Sequence, residues 1–158
     1  MTTQSQTIEI IEATPKHADS VADLVLALLV ELEPHARETL SQQGLPATTR
    51  TLLSDGQIIA LLAFDKHTPI GVLTLHACAA IYAGGVFGEI SELYVAPAYR
   101  SQALGQQLID AAMAKARVLG WKRLEVGSPP ADAWPRSVRF YESNGFRASG
   151  TRLARHIV

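Results

Sequence analysis

The fold is decided by residues 90–108, which read ISELYVAPAYRSQALGQQL. The first residues are those of a strand, Pro97 marks a turn, and an apolar helical stripe begins at Leu104. A strand that enters a helix through small residues aims successive backbone N–H groups at one point, and the helix N-terminus adds about half a unit of positive charge there. The segment therefore predicts a cradle for a phosphate-like anion, built mainly from backbone.

The cradle is not one of the two common phosphate loops. The sequence contains neither G-x-G-x-x-G nor G-x-x-x-x-G-K-[ST]. The missing glycine fingerprint argues against a dinucleotide-binding domain, which is otherwise an alternative for a strand–turn–helix segment of this kind.

Strands and helices alternate on both sides of this segment. The pattern of apolar residues predicts helices over 18–32, 35–43, 104–119 and 135–144. It predicts strands over 7–13, 57–65, 70–80, 89–95, 123–127 and 151–157, with a hairpin at 66–69 and a glycine-marked turn over 84–88. Strands joined by hairpins, with helices inserted between others, predict an α/β domain with a mixed sheet.

Composition excludes several classes of function. The 158 residues predict a single domain over 1–158, with residues 1–6 a flexible tail. Lys+Arg 14 against Asp+Glu 15 leaves no positive field for nucleic acid. The apolar runs are too short to span a membrane, the N-terminus lacks a secretory signal, and Cys78 is the single cysteine. We therefore expect a cytoplasmic domain without nucleic-acid or membrane partners.

A second motif lies downstream, at residues 140–146, which read FYESNGF. With Arg100 to Gly105 after Leu93-Tyr94-Val95-Ala96-Pro97, this pair of motifs resembles the GNAT superfamily of acyl-CoA-dependent N-acetyltransferases. The resemblance covers the full order of elements and implies a mixed, centrally splayed sheet of about six to seven strands flanked by about four helices. The sequence departs from the family at Ala103, where a loop glycine is usual, and at Trp134 and Ser137, where Asn and Ala are frequent.

The resemblance implies acetyl-CoA as the cofactor. The backbone around Leu93, Tyr94 and Val95 would pair with the pantetheine arm as an added strand. The resemblance assigns the remaining cofactor contacts to the loop and to the second motif, at Arg100, Ser101, Gln102, Ala103, Leu104, Gly105, Gln106 and Ser137. Within this set the loop backbone is the stronger expectation, because Arg100 is equally explained as a solvated surface residue.

The resemblance also implies an acid and a base. Tyr141 is the family's usual general acid, since a phenol with a pKa near ~10 is protonated at neutral pH and can donate to the leaving thiolate. Glu92 and Glu89 are candidates for the base that deprotonates the amine. Three residues apart on a strand, they face opposite sides unless a bulge intervenes, and the family commonly has a bulge there. We expect Glu92 first, with Glu89 close behind.

Other chemistry-bearing residues have simpler explanations. The five histidines show no His-Glu-x-x-His spacing, so we expect no metal site. His76 and Cys78 share one face of a strand and are interpreted as packing residues rather than a catalytic pair. Glu31, Glu33 and His35 fall between the first two helices, where the family often binds its acceptor; they indicate a cationic substrate or a solvated loop.

The sequence thus predicts an N-acetyltransferase that moves an acetyl group from acetyl-CoA directly onto an amine of a small molecule or peptide. The mechanism implied is direct attack on the thioester, with a backbone N–H at the bulge polarising its carbonyl. The alternative is a binding module of the same fold that senses acyl-CoA without turning it over. A polyamine, an aminoglycoside, an amino acid and a protein N-terminus all fit as acceptors, and the oligomeric state stays open, with a homodimer frequent in the family.

Overall fold

The computed structural model describes residues 7–150 and 152–157. The strands are β1 Ile8–Glu12, β2 Ile59–Asp65, β3 Thr68–Ala80, β4 Gly85–Val95 and β5 Leu124–Val126. The helices are α1 Ala18–Leu32, α2 Arg37–Ser41, α3 Leu45–Ser54, α4 Leu104–Val118 and α5 Pro135–Ser143. The tail predicted for residues 1–6 lies outside the described residues. No helix of the described chain is both long and apolar enough to cross a bilayer.

The strands form one mixed sheet in the order β1-β2-β3-β4-β5. The first three pairings are antiparallel, whereas β4 and β5 are parallel and are connected through α4. The parallel pairing is short, since it joins only Gly88–Ile90 to Leu124–Val126. The pairing ends at Ile90 because β5 ends at Val126, so the rest of β4 has an open edge on this side, in agreement with the predicted splay of the sheet.

Each face of the sheet packs against helices through its own core. On one face, Leu73, Leu75 and Ile90 pack with Leu104 and Leu108 of α4. On the opposite face, Val21 and Leu24 of α1 pack with strand residues of β2 and β3, which are Ala60, Leu62 and Val72. The helices α4 and α1 therefore lie on opposite sides of the sheet, and a site on β4 can be reached from both.

A β-bulge interrupts the pairing of β3 with β4. Thr74 lies opposite Glu92, but the next residue, Leu75, lies opposite Ile90, so Ser91 is the extra residue. One extra residue changes which side chains share a face, because side chains alternate along a strand. Glu92 and Glu89 are paired with Thr74 and His76, which are two residues apart on β3. The bulge thus brings both glutamates to the α1 face.

The structure corrects the predicted number of strands. The described residues contain five strands, not six to seven, because 152–157 pair with no strand. Thr151, the first residue of the predicted last strand, is outside the described residues. The three-residue β5 offers almost no edge for another strand, and it is followed at once by Gly127 and then by Pro129 and Pro130, which cannot continue a ladder.

The helix predictions need two corrections. The described chain has five α-helices instead of about four, because Leu45–Ser54 is helical although its three threonines have low helix propensity. Packing of α3 against α1 overrides that propensity, and Leu53 joins the α1 core. The predicted helix over 35–43 is a 3-10 turn followed by the five-residue α2, and Gly44 turns the chain with a φ of 66°.

Gly88, predicted in a turn, is instead buried inside β4. A β-carbon at this position would overlap the ring of Trp121 and the side chain of Leu124. The absence of a side chain lets the indole lie on the β4 backbone where β5 begins to pair. Gly88 therefore helps to fix the place where β5 pairs with β4.

Candidate active site

The first part of the site is the free edge of β4 beyond Ile90. Within the described chain, residues 92–95 pair with β3 on one side and with no strand on the other. The Ala96 N–H donates to the Ile70 carbonyl over 2.8 Å. Because antiparallel hydrogen bonds alternate, the backbone groups of Tyr94 also face β3, whereas those of Leu93 and Val95 face the open edge. Leu93 and the N–H of Val95 can therefore pair with an extended ligand, whereas the Val95 carbonyl already accepts from Arg100 Nε.

The second part is the loop between β4 and α4. Its amides at Arg100 and Gln102 are used in the loop's own turns, on the carbonyls of Pro97 and Tyr99. No side chain of the described residues caps α4. Five amides from the end of the loop and the first helical turn have no hydrogen-bond partner among those residues; they belong to Ser101, Ala103, Leu104, Gly105 and Gln106. These N–H groups, at the positive end of the helix, fit a pyrophosphate.

Ala103 holds an unusual backbone conformation in this loop. Its φ of 59° and ψ of 17° lie in the left-handed region, where a side chain costs an L-residue about 1–2 kcal/mol. This is the position where the sequence departs from the family's glycine. Alanine at this position therefore strains the loop backbone, and its methyl group narrows the space in which a pyrophosphate would bind.

Replacing Ala103 with glycine should stabilise the protein slightly. Relief of the left-handed strain exceeds the roughly 0.5–1 kcal/mol by which glycine favours the unfolded chain. Ala103→Val should destabilise it, because a β-branched residue tolerates this region worst. The control is Ala98→Gly in the 3-10 turn Pro97–Tyr99, where glycine should lower the free energy of unfolding. Equal stability of the glycine and valine variants in urea unfolding would contradict the left-handed loop.

Arg100, a predicted cofactor residue, directs its side chain toward α1. Its two terminal nitrogens bind the Glu31 carboxylate at 2.9 and 2.5 Å, and Nε donates to the Val95 carbonyl over 2.8 Å. The guanidinium also lies 5.5 Å from the centre of the Tyr94 ring, and its hydrogen bonds to Glu31 raise the pKa of Arg100 further. The Arg100 side chain thus links the loop to the end of α1, whereas the cradle is formed by the backbone of the loop.

Tyr141 lies on α5, on the α4 side of the sheet. Its ring makes edge contacts with Phe140 and Phe146, at centroid distances of 5.4 and 5.7 Å. Phe140 in turn lies against Gly105, where an added β-carbon would be 3.1 Å from the ring. The tyrosine is thereby held next to the phosphate loop. Ser137, one helical turn earlier, is on the same side of α5.

The Tyr141 phenol is set up to stay protonated. Burial raises the pKa of Tyr141 to about 12. The hydroxyl has no hydrogen-bond partner among the described residues, yet no side-chain oxygen there is both fully buried and unpartnered. It therefore keeps access to an incoming group and has a proton to donate.

Glu92 is held by a buried threonine on the α1 face. The Thr74 hydroxyl, on a residue only 1% exposed, donates to the Glu92 carboxylate and accepts the Glu92 backbone N–H over 3.1 Å. Thr74 is a site residue that the sequence motifs did not predict. Thr74 could have been found from the strand pattern, because polar side chains occur at every second position of an otherwise apolar stretch, at Thr74, His76 and Cys78.

Glu89 has a different set of neighbours. Its Oε1 accepts from Arg152 at 2.5 Å, and its Oε2 lies 4.0 Å from His76 Nε2 and 3.7 Å from Cys78 Sγ. Burial, with the negative charge of Glu89, raises the pKa of the Cys78 thiol, which disfavours this cysteine as a nucleophile. His76 and Cys78 thus lie beside a carboxylate, and their interpretation as packing residues rather than a catalytic pair stays a prediction.

The three residues predicted between the first helices are separated by the structure. Glu31 belongs to α1 and is paired with Arg100. Glu33 ends that helix, and His35 lies in the 3-10 turn Pro34–Ala36; both are exposed. Of the three, only Glu31 is tied to the loop of the candidate site.

Comparison with known proteins identifies the family. A family model described as an acetyltransferase (GNAT) domain matches residues 55–148, more than half of the chain. The chain is 29% identical over 149 residues to the aminoalkylphosphonate N-acetyltransferase of Salmonella typhimurium, covering 93% of this chain and 90% of the relative.

Solved structures share the fold. A ribosomal-protein-alanine N-acetyltransferase from Brucella melitensis biovar Abortus 2308 superposes with a TM-score of 0.75 at 20% identity, over 96% of this chain and 99% of that one. An aminoglycoside N-acetyltransferase in complex with CoA superposes with a TM-score of 0.75 at 14% identity, over 99% of both chains. With the matched domain, the open edge of β4 and the amide-lined loop, the chain belongs to the GNAT superfamily and is an acetyl-CoA-dependent N-acetyltransferase.

Proposed function

We propose that the enzyme acetylates a primary amine of a small molecule, which approaches β4 from the α1 face, with Glu92 as the base and Tyr141 as the acid. The observation that carries this proposal is the bulge at Ser91, which brings Glu92 onto the α1 face beside the free edge of β4. Tyr141 packs on the other side of the sheet, next to the phosphate loop. Glu92 and Tyr141 therefore lie on opposite sides of the sheet, near the free edge of β4.

The cofactor fits the residues present. The partnerless amides of the loop would hold the pyrophosphate, and the outward backbone groups of Leu93 and the N–H of Val95 would pair with the pantetheine arm. Acetyl-CoA supplies the thioester whose acetyl group is transferred. Its arm would take the place beside β4 that β5 vacates after Ile90. A backbone N–H at the bulge would polarise the thioester carbonyl.

The chain's own residues would move two protons. Glu92 would accept a proton from the ammonium group, directly or through one water, so that the nitrogen has a free electron pair. The new bond joins nitrogen to the acetyl carbon as the carbon–sulfur bond breaks, and the nitrogen then releases its second proton to solvent. Tyr141 would give its proton to the departing sulfur and regain one from solvent. Thr74 positions Glu92 for this role by holding its carboxylate and its backbone.

Two observations support a small acceptor with a primary ammonium group. Glu89 and Glu92 share the α1 face, which favours a protonated amine before it reacts. The relative from Salmonella typhimurium, similar along almost the whole chain, is named for aminoalkylphosphonates, which are small primary amines. We therefore place aminoalkylphosphonates first among the acceptors to test.

A panel of amines with detection of the released thiol tests the proposal. The panel contains an aminoalkylphosphonate, a polyamine, an aminoglycoside, an amino acid and a peptide with a free N-terminus, each offered with acetyl-CoA. We expect thiol release above the amine-free rate for small primary amines, with the acetylated product seen by mass spectrometry. Release only with the peptide would overturn the small-molecule acceptor. Calorimetric binding of acetyl-CoA without release for any amine would favour a sensor.

A further inference from the structure

We propose that His76, Cys78 and Glu89 form a binding site for a divalent transition-metal cation of the zinc type. The three residues lie on the α1 face of the sheet, on the neighbouring strands β3 and β4. The sequence shows no metal-binding spacing because pairing of the strands, and not a local motif, assembles the group. The proposal is independent of the roles given to Glu92 and Tyr141.

The distances between the donor atoms fit a small cation. One donor atom from each residue lies within 4.8 Å of the other two. Glu89 Oε2 is 3.7 Å from Cys78 Sγ and 4.0 Å from His76 Nε2. Bond lengths of about 2.3 Å to sulfur and about 2.0–2.2 Å to nitrogen and oxygen place tetrahedral ligands roughly 3.4–3.6 Å apart. The two measured separations exceed these values by less than about 1 Å, so a bound cation would draw the side chains slightly closer together.

Two neighbouring residues orient the ligands. The other ring nitrogen of His76, Nδ1, is hydrogen-bonded to the Ser91 hydroxyl at 2.8 Å, which leaves Nε2 facing Glu89. Arg152 occupies Oε1 of Glu89 at 2.5 Å, so Oε2 is the oxygen turned toward sulfur and imidazole. Metal-binding histidines and carboxylates characteristically have such partners on their second donor atom. Ser91, the extra residue of the bulge, would thus also orient the His76 ligand.

The donor set selects the kind of cation. An imidazole, a thiol and a carboxylate are the ligands of zinc and similar borderline cations, whereas calcium and magnesium prefer oxygen alone. The Cys78 thiol would release one proton as the sulfur–metal bond forms. Three protein ligands leave a fourth tetrahedral position for water, which can enter because all three residues are partly exposed.

Cobalt is the probe, because Co²⁺ replaces zinc and absorbs light when a thiolate binds it. Titration of the chelator-treated full chain with Co²⁺ should give one equivalent of binding and a thiolate-to-cobalt charge-transfer band. Cys78→Ser should abolish the band, and His76→Ala should weaken binding at least tenfold. Ser91→Ala should weaken it by about tenfold, as expected for a residue that orients a ligand. The control His67→Ala, in the exposed β2–β3 turn, should bind as the parent does.

Added Zn²⁺ should erase the cobalt band at one equivalent, and Mg²⁺ should not. Absence of the band, or an unchanged band in Cys78→Ser, would overturn the site. Circular dichroism checks the fold of each variant, and His76→Gln serves if His76→Ala unfolds. Erasure by Mg²⁺ at equal concentration would contradict the sulfur-containing donor set. Each measurement reads metal binding directly, so it does not depend on finding the acceptor amine.

Discussion

Tyr141→Phe should lower kcat for acetyl transfer by about 10²- to 10⁴-fold, the range typical of a lost general acid. The substitution removes only the hydroxyl, and the ring contacts with Phe140 and Phe146 remain. Stability should therefore change little. The affinity for acetyl-CoA should be retained, because the loop amides proposed to hold the pyrophosphate are unaffected. Steady-state thiol release separates kcat from KM, and calorimetry gives the affinity for acetyl-CoA.

The pH dependence gives an independent check on this acid. Burial raises the pKa of Tyr141 to about 12, so the protonated form persists at every pH below that value. We expect no alkaline loss of rate from this group below about pH 11 in the parent enzyme. Tyr82→Phe, on an exposed residue after β3, is the matched control and should leave kcat unchanged. A kcat of Tyr141→Phe within twofold of the parent would contradict the acid role.

Glu92→Gln should lower activity at neutral pH by about 10²-fold and lose that effect at high pH. A primary amine with a pKa near ~10.4 is almost fully protonated at pH 7 and needs a base there. Above that pKa the free amine is abundant, so the variant should approach the parent rate. The amide oxygen of the introduced glutamine can still accept from Thr74, which keeps the side chain in place.

Glu89→Gln is the matched variant, because it makes the same change on the same face of β4. Profiles of kcat/KM against pH should show the pH-dependent defect for Glu92→Gln, with a smaller, pH-independent change for Glu89→Gln. The reverse pattern would assign the base to Glu89. A defect of equal size at all pH values in Glu92→Gln would assign it a positioning role.

The sequence predicted those helices and strands whose own residues show a clear apolar periodicity. The apolar stripe of Val21, Leu24, Val25, Leu28 and Leu29 predicts α1 with the bounds observed, because a single buried face determines this helix. The same holds for α4, whose predicted range differs by one residue at its end. The two family motifs likewise predicted the fold and the chemistry, which the matched domain confirms.

Features that depend on distant parts of the chain could not be predicted in this way. Whether Glu89 and Glu92 share a face depends on one extra residue in β4, and a sequence pattern does not reveal which strand position is unpaired. Arg100 pairs with Glu31, which is 69 positions earlier. The helix α3 exists because α1 offers it a packing surface, against the weak preference of its threonines. In each case a partner elsewhere in the fold decides the outcome.

The phosphate loop presents backbone amides, and every residue except proline carries one. Exchange of the exposed side chains of Ser101 or Gln106 therefore leaves most of its binding chemistry intact. The proposed acceptor side depends instead on individual side chains such as Glu92 and Thr74. We therefore expect single substitutions to change the accepted amine more readily than the acetyl donor.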